Sequence, residues 1–109
     1  MKPARWHPRA VQDADDVAAW YAQQAGVTLE LAFVDALERT VSLLERHPGA
    51  GSTRHADAFP ELHAPLRFHP ILGFDDHLVY YTEHPAWIEI VRLWNARRGL
   101  DALHAPDAG

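Results

Sequence analysis

Apolar residues recur along this chain with two different periods. From Pro8 to Ala25 they fall at spacings of three and four (Ala10, Ala14, Val17, Ala18, Tyr21, Ala25), which places them on one face of a helix. Pro8 suits the first turn, where its missing N–H is no loss, and Gly26 stops the helix. Asp13, Asp15 and Asp16 lie early in it, favourable for the helix dipole. A second helix is predicted from Thr28, its N-cap, to His47, ahead of Pro48. Its apolar stripe is Leu29, Ala32, Phe33, Ala36, Leu37, Val41 and Leu44, with Asp35 and Arg39 one turn apart on the solvated side. The connection Ala25-Gly26-Val27 is too short for any arrangement but an antiparallel helical hairpin.

Beyond Leu66 the period drops to two. Leu66-Arg67-Phe68-His69, Phe74 to Thr82 and Trp87 to Trp94 are rich in β-branched and aromatic residues, and Pro70, Gly73 and Pro85 punctuate them. An antiparallel meander is the simplest assembly. In its last strand Ile88, Ile90, Arg92 and Trp94 alternate with Trp87, Glu89, Val91 and Leu93. Neither set is wholly polar, so the strand is central and covered on both sides. Adjacent Tyr80 and Tyr81 point to opposite faces, one toward the core and the other toward a surface or interface. Lys2 to His7, which contains Pro3 and ends at Pro8, reads as an edge strand because neither proline can serve a central ladder. Pro48 to Pro60 reads as a long surface loop, and Asn95 to Leu103 as a helical turn or an extended arm. The expected fold is α+β: an N-terminal strand, the helical hairpin, then a three-stranded antiparallel meander in one sheet. A single domain spans 1–104 and 105–109 is a frayed tail.

Composition narrows the function classes. The chain has 109 residues, 48% of them apolar, which is enough for one core. No apolar run is long enough to cross a bilayer and no secretory signal is visible, so a cytoplasmic protein without a membrane partner is expected. The absence of cysteine removes disulfides, thiolate zinc sites and a catalytic thiol. A net charge of −5 argues against a broad grip on nucleic acid, although Arg92, Arg97 and Arg98 gather at the end of the sheet.

Chemistry-bearing motifs are few. Eight histidines occur, at 7, 47, 55, 63, 69, 77, 84 and 104, without metal-ligand spacing, so no metal is expected. Gly49-Ala50-Gly51 follows a helix and lacks the context of a phosphate loop, so it reads as a turn. Ser52 and Thr53 have no nucleophile elbow around them. Arg67, His69, His77, Arg97 and Arg98 form the more informative set. Either they converge on a phosphodiester, histidine moving protons and arginine stabilising charge, or they are solvated edge residues paired with Glu83, Glu89 or Asp101. Trp87 and Trp94 either pack in the core or anchor a partner.

The chain resembles the RelE/ParE-type toxins of bacterial toxin–antitoxin pairs. The resemblance rests on His7-Pro8-Arg9-Ala10 with the Asp-rich helix, Leu44-Glu45-Arg46-His47-Pro48-Gly49-Ala50-Gly51, Leu66-Arg67, His77-Leu78-Val79-Tyr80-Tyr81 and Ile88-Glu89-Ile90-Val91-Arg92-Leu93. Each motif is short; their order and spacing carry the likeness, which is closer to the ParE branch. It implies a cytoplasmic toxin that needs no cofactor, poisons DNA gyrase and is neutralised by a cognate antitoxin, with Arg92, Trp94, Arg97 and Arg98 as target- or antitoxin-binding residues. The RelE alternative is a ribosome-dependent mRNA endoribonuclease using Arg67, His69, His77 and Arg97. Its C-terminal tyrosine has no counterpart here, where Leu103 or His104 stands nearby. A third reading is a member that binds antitoxin but has lost toxicity. The sheet exit, Leu93-Trp94-Asn95-Ala96-Arg97-Arg98-Gly99-Leu100-Asp101, departs from the usual leucine-histidine and basic run of ParE.

Overall fold

A computed structural model describes residues 1–58, 62 and 64–98. Strand β1 (Ala4–Trp6) leads into helices α1 (Pro8–Ala25) and α2 (Val27–Arg46), and strands β2 (Leu66–Ile71), β3 (Phe74–Glu83) and β4 (Ile88–Asn95) follow. The expected α+β order is the observed one. The sheet order is β1-β4-β3-β2, with β1 parallel to β4 and the other neighbours antiparallel. As expected, β4 is a central strand. The proposed tail 105–109, His104, and the arm beyond Arg98 lie outside the described residues, as does His63.

Gly26 is the C-cap of α1 and the N-cap of α2 at once, so the second helix starts one residue ahead of Thr28. Its φ of 86° with ψ of 177° belongs to a region that side chains exclude, which is how one residue reverses the chain. α2 buries Phe33, Ala36, Leu37, Thr40, Val41 and Leu44. Thr40 is the polar member of that face. Its hydroxyl donates to the Ala36 carbonyl at 2.8 Å and accepts from the Leu72 N–H at 3.0 Å, pinning the β2–β3 turn to the helix.

Two apolar clusters lie on opposite sides of the sheet. On the helix side Phe33, Ala36, Leu37, Val41 and Leu44 meet Ile71, Val79, Tyr81, Ile88, Ile90 and Leu93. On the other side Leu66, Leu78, Tyr80 and Trp94 pack together with Phe68, Val91 and Leu62. Both tyrosines are therefore buried, and the expectation that one faces a surface fails because the second face is covered too. The stretch after α2 supplies part of this cover. It is a compact connection with two short 3₁₀ turns, Pro48–Ala50 and Ala56–Ala58, in place of the irregular loop expected. Ser52 bridges Phe68 on the free edge of β2, and His55 stacks on Phe68 at 4.4 Å. Gly51 packs so closely on Tyr81 that a Cβ there would stand 2.5 Å from the phenol oxygen. That oxygen accepts from the Gly51 N–H at 2.8 Å and donates to the Pro48 carbonyl at 2.6 Å.

Strict alternation along β4 does not hold either. Tyr80 pairs with Arg92 but Tyr81 pairs with Ile90, leaving Val91 as the extra residue of a bulge. Ile88, Ile90 and Leu93 thus face the helices and Trp94 faces away, which separates the sets the sequence pattern had grouped.

Candidate target-binding site

The bulge aims the end of β4 at α1. β1 is too short to follow β4 past Ile90, where the His7 N–H donates to the Ile90 carbonyl at 2.9 Å. Asp13 of α1 takes over from there. Its carboxylate accepts from the Leu93 N–H at 3.0 Å and from Arg92 Nε and Nη2 at 2.7 and 3.1 Å. This bidentate pair is largely shielded, its side chains only 17% and 15% exposed, so Asp13 serves the tertiary structure and not the helix dipole.

Trp94 is the next element of the site. It is buried, and the guanidinium carbons of Arg92 and Arg98 lie 5.0 and 4.2 Å from its ring centroid. Its indole N–H has no hydrogen-bond partner among the described residues. Arg97 stands outside this stack, 3.2 Å from Asp76 in a loose, exposed pair. The Arg97 N–H donates to Asn95 Oδ1 at 2.9 Å and the Ala96 N–H to the Asp76 carbonyl, so the strand exit is turned back toward the start of β3.

Between this exit and α1 opens a cleft of about 480 Å³. Trp20, Tyr21 and Trp94 supply aromatic walls, Asp16 and Asp76 acids, and Arg97 and Arg98 cations. His77 lies among them, sharing a 3.2 Å hydrogen bond with the Tyr21 hydroxyl and making edge-on contacts with the Tyr21 and Phe33 rings. Burial lowers the affinity of His77 for a proton, partly offset by Asp76, and burial followed by Asp76 raises the pKa of Tyr21.

The residues named from sequence divide between two places. Arg92, Trp94, Arg97, Arg98 and His77 gather around the cleft. Arg67 does not join them, because its Nη1 donates to the Gly51 carbonyl at 2.9 Å. It pairs with Tyr81, four residues from His77 along β3, about 13 Å at ordinary strand rise. His69 Nδ1 donates to the Pro70 carbonyl at 2.7 Å. The set Arg67, His69, His77 and Arg97 therefore does not converge on one point. Of the remaining described histidines, His7 caps α1, His55 stacks on Phe68 and His84 stacks on Trp87. Among the described residues no group of three or more metal-binding side chains assembles.

Asp13, Trp20, Tyr21 and Asp76 were missed by sequence reasoning. Asp13 meets Arg92 across 79 positions, and no local pattern signals such a pair. Tyr21 sits on the apolar stripe of α1, where core packing is the ordinary reading of an aromatic residue. The available signal was Trp20 beside it, a large aromatic residue outside that stripe, which the structure leaves exposed.

Comparison with known proteins bears on the whole of this architecture. The family model described as ParE toxin of type II toxin-antitoxin system, parDE, matches residues 4–100. A solved chain from the chromosomal ParDE TA system of P. aeruginosa superposes with a TM-score of 0.69 at 19% identity, over 87% of this chain and 96% of that one, a likeness of fold. No curated protein sequence matches it. With the family match running from the first strand past the exit of the last, the chain belongs to the ParE toxin family of type II toxin–antitoxin systems.

Proposed function

We propose that this chain is a growth-inhibiting toxin of the cytoplasm that poisons DNA gyrase and is held inactive by a cognate antitoxin, an arrangement suited to plasmid stabilisation. Family membership supplies the class of activity. The observation that carries the target-binding site is the exposed cationic exit of β4: Arg97 and Arg98 stand in solvent beside an open cleft, and Trp94 holds Arg98 in place by stacking at 4.2 Å. Guanidinium groups positioned in this way suit carboxylate or phosphate partners on a large macromolecule. Arg92, by contrast, is occupied by Asp13 and acts by supporting Trp94.

The test places the purified chain with gyrase and relaxed plasmid. Supercoiling should fall and cleavage complexes accumulate with toxin concentration, and the double variant Arg97→Ala/Arg98→Ala should need at least tenfold more protein for the same effect. A parallel translation reaction separates the branches. Cleaved mRNA with gyrase unaffected would assign the chain to the ribosome-dependent ribonucleases, and no effect in either assay would leave an antitoxin-binding protein without toxicity.

A further inference from the structure

Trp20 stands 54% exposed on α1, although its neighbour Tyr21 is packed against the Phe33 and Phe74 rings. The indole and the Tyr21 ring meet at 5.1 Å and 76°, an edge-on contact that braces Trp20 without covering it. This open, braced indole borders the cleft at the exit of β4, whose 480 Å³ falls within the span of about 300–1,000 Å³ usual for small-ligand sites.

The polar groups around the cleft are of both signs. Arg97 and Arg98 are exposed, and the stack on Trp94 holds Arg98 in place. Asp16 takes one hydrogen bond, from Gln12 Nε2 at 2.8 Å, and Asp76 makes only the loose pair with Arg97, so both carboxylates keep acceptor capacity. The Trp94 indole N–H is a buried donor without a partner among the described residues. A simple anion would be repelled by the acids, and a purely apolar group would leave four charges unanswered. A nucleotide answers each element: a flat base for the indole, N–H groups for the carboxylates and a phosphate for the guanidinium pair.

We propose that this cleft holds one unpaired nucleotide of a DNA strand, its base stacked on Trp20 and its phosphate held by Arg97 and Arg98. The proposal rests on the reading of the β4 exit as the target-binding site and names what is bound there: the DNA held by gyrase, not an acidic surface of the enzyme. A chain of net charge −5 can bind in this way because a single-nucleotide site engages one or two phosphates, where a broad grip needs a basic face. The acids set the base preference. Guanine carries two adjacent donors, N1–H and N2–H, that can meet one carboxylate, whereas thymine would turn carbonyl oxygens toward Asp16 and Asp76.

The test titrates the whole chain with the single-stranded DNA tetramers TTGT and TTTT and with dGMP, by calorimetry and NMR. TTGT should bind at least tenfold more tightly than TTTT, and its log affinity should fall with log salt no more steeply than about 1.4, the slope for two phosphate contacts on a single strand. The indole signals of Trp20 and Trp94 should shift while those of Trp6 and Trp87 stay. Trp20→Ala should weaken TTGT binding at least tenfold and Trp20→Phe by less. Arg97→Ala/Arg98→Ala should weaken it at least tenfold and remove most of the salt dependence. Arg39→Ala, which deletes an exposed cation that does not line the cleft, should leave it within twofold. All these side chains are on the surface, and unchanged circular dichroism will confirm that the variants fold. Binding that Trp20→Ala leaves within twofold, or that Arg39→Ala weakens as much as the arginine pair does, would overturn the site. dGMP bound as tightly as TTGT would keep the nucleotide site and overturn the strand as its source. A complex with DNA-free gyrase that the arginine variant breaks and Trp20→Ala spares would assign the cleft to the protein surface. Gyrase poisoning without binding of any probe would overturn this inference alone, and TTGT binding with gyrase unaffected would overturn the gyrase reading alone.

Discussion

At the scale of single residues, His77 has the most to reveal about the cleft, because it is packed as a core residue at the edge of a polar opening. Burial favours its neutral form, so its folded-state pKa lies below the ordinary value near 6.5. The sign of the stability effect follows. A base whose pKa is depressed by folding contributes stability that is present above about pH 6.5 and is lost as pH falls through the folded value. Asp76 opposes the shift, and Tyr21, the other group in contact, stays neutral across this range because its own pKa is raised. His55, half-buried against Phe68 on the opposite face and close to Arg54, is shifted the same way. Unfolding free energy should therefore decline from pH 6.5 toward pH 5, and His77→Gln, which can still hydrogen-bond Tyr21 but cannot titrate, should decline less steeply. Equal slopes in urea titrations at several pH values would show that the imidazole charges without cost and that the cleft is more open to water than its packing implies.

At the scale of elements, the bidentate Asp13–Arg92 pair is the polar latch between α1 and β4. Asp13→Ala removes three hydrogen bonds together and leaves a shielded guanidinium and the Leu93 N–H without partners, a loss of about 2–4 kcal/mol. Asp13→Asn keeps an acceptor for that N–H and should lose less. Equal losses in denaturant unfolding would mean that the latch works through charge alone. The same contact marks the limit of what the sequence discloses. Both helices, the three late strands and the reversal at Gly26 are written in local periods and punctuation, and each appears within two residues of where those signals put it, although Pro70, read as a break, lies inside β2 opposite Leu78. The bulge at Val91 is not. An alternating run with apolar residues on both faces looks the same with or without an inserted residue, and only the register against Tyr80 and Tyr81 reveals it. For that reason the sequence places Arg92, Trp94, Arg97 and Arg98 near one another, yet does not disclose that Asp13 holds the first of them or that Arg67 is tied to the Gly51 carbonyl.

At the scale of the whole molecule, the two apolar clusters share one pair of strands. Val79 and Tyr81 of β3 face the helices while Leu78 and Tyr80 face away, and on β4 the same division falls between Leu93 and Trp94. Neither cluster can lose its packing without loosening the backbone on which the other is mounted. The sheet also closes late. β1, the first strand of the chain, pairs with β4, the last, with Ala4 opposite Ile88, so no contiguous part of the chain contains a finished sheet. Lys2 reinforces this closure by donating to Glu83 at 2.7 Å and to the His84 carbonyl at 2.8 Å. Such an arrangement leaves no subunit of structure able to persist alone. Thermal unfolding should accordingly be a single transition, with calorimetric and van't Hoff enthalpies equal and near- and far-ultraviolet circular dichroism superimposable. An earlier loss of the near-ultraviolet signal, with helical content retained, would show that the helical hairpin keeps its own stability and that the cluster around Tyr80 and Trp94 is a separate, weaker unit.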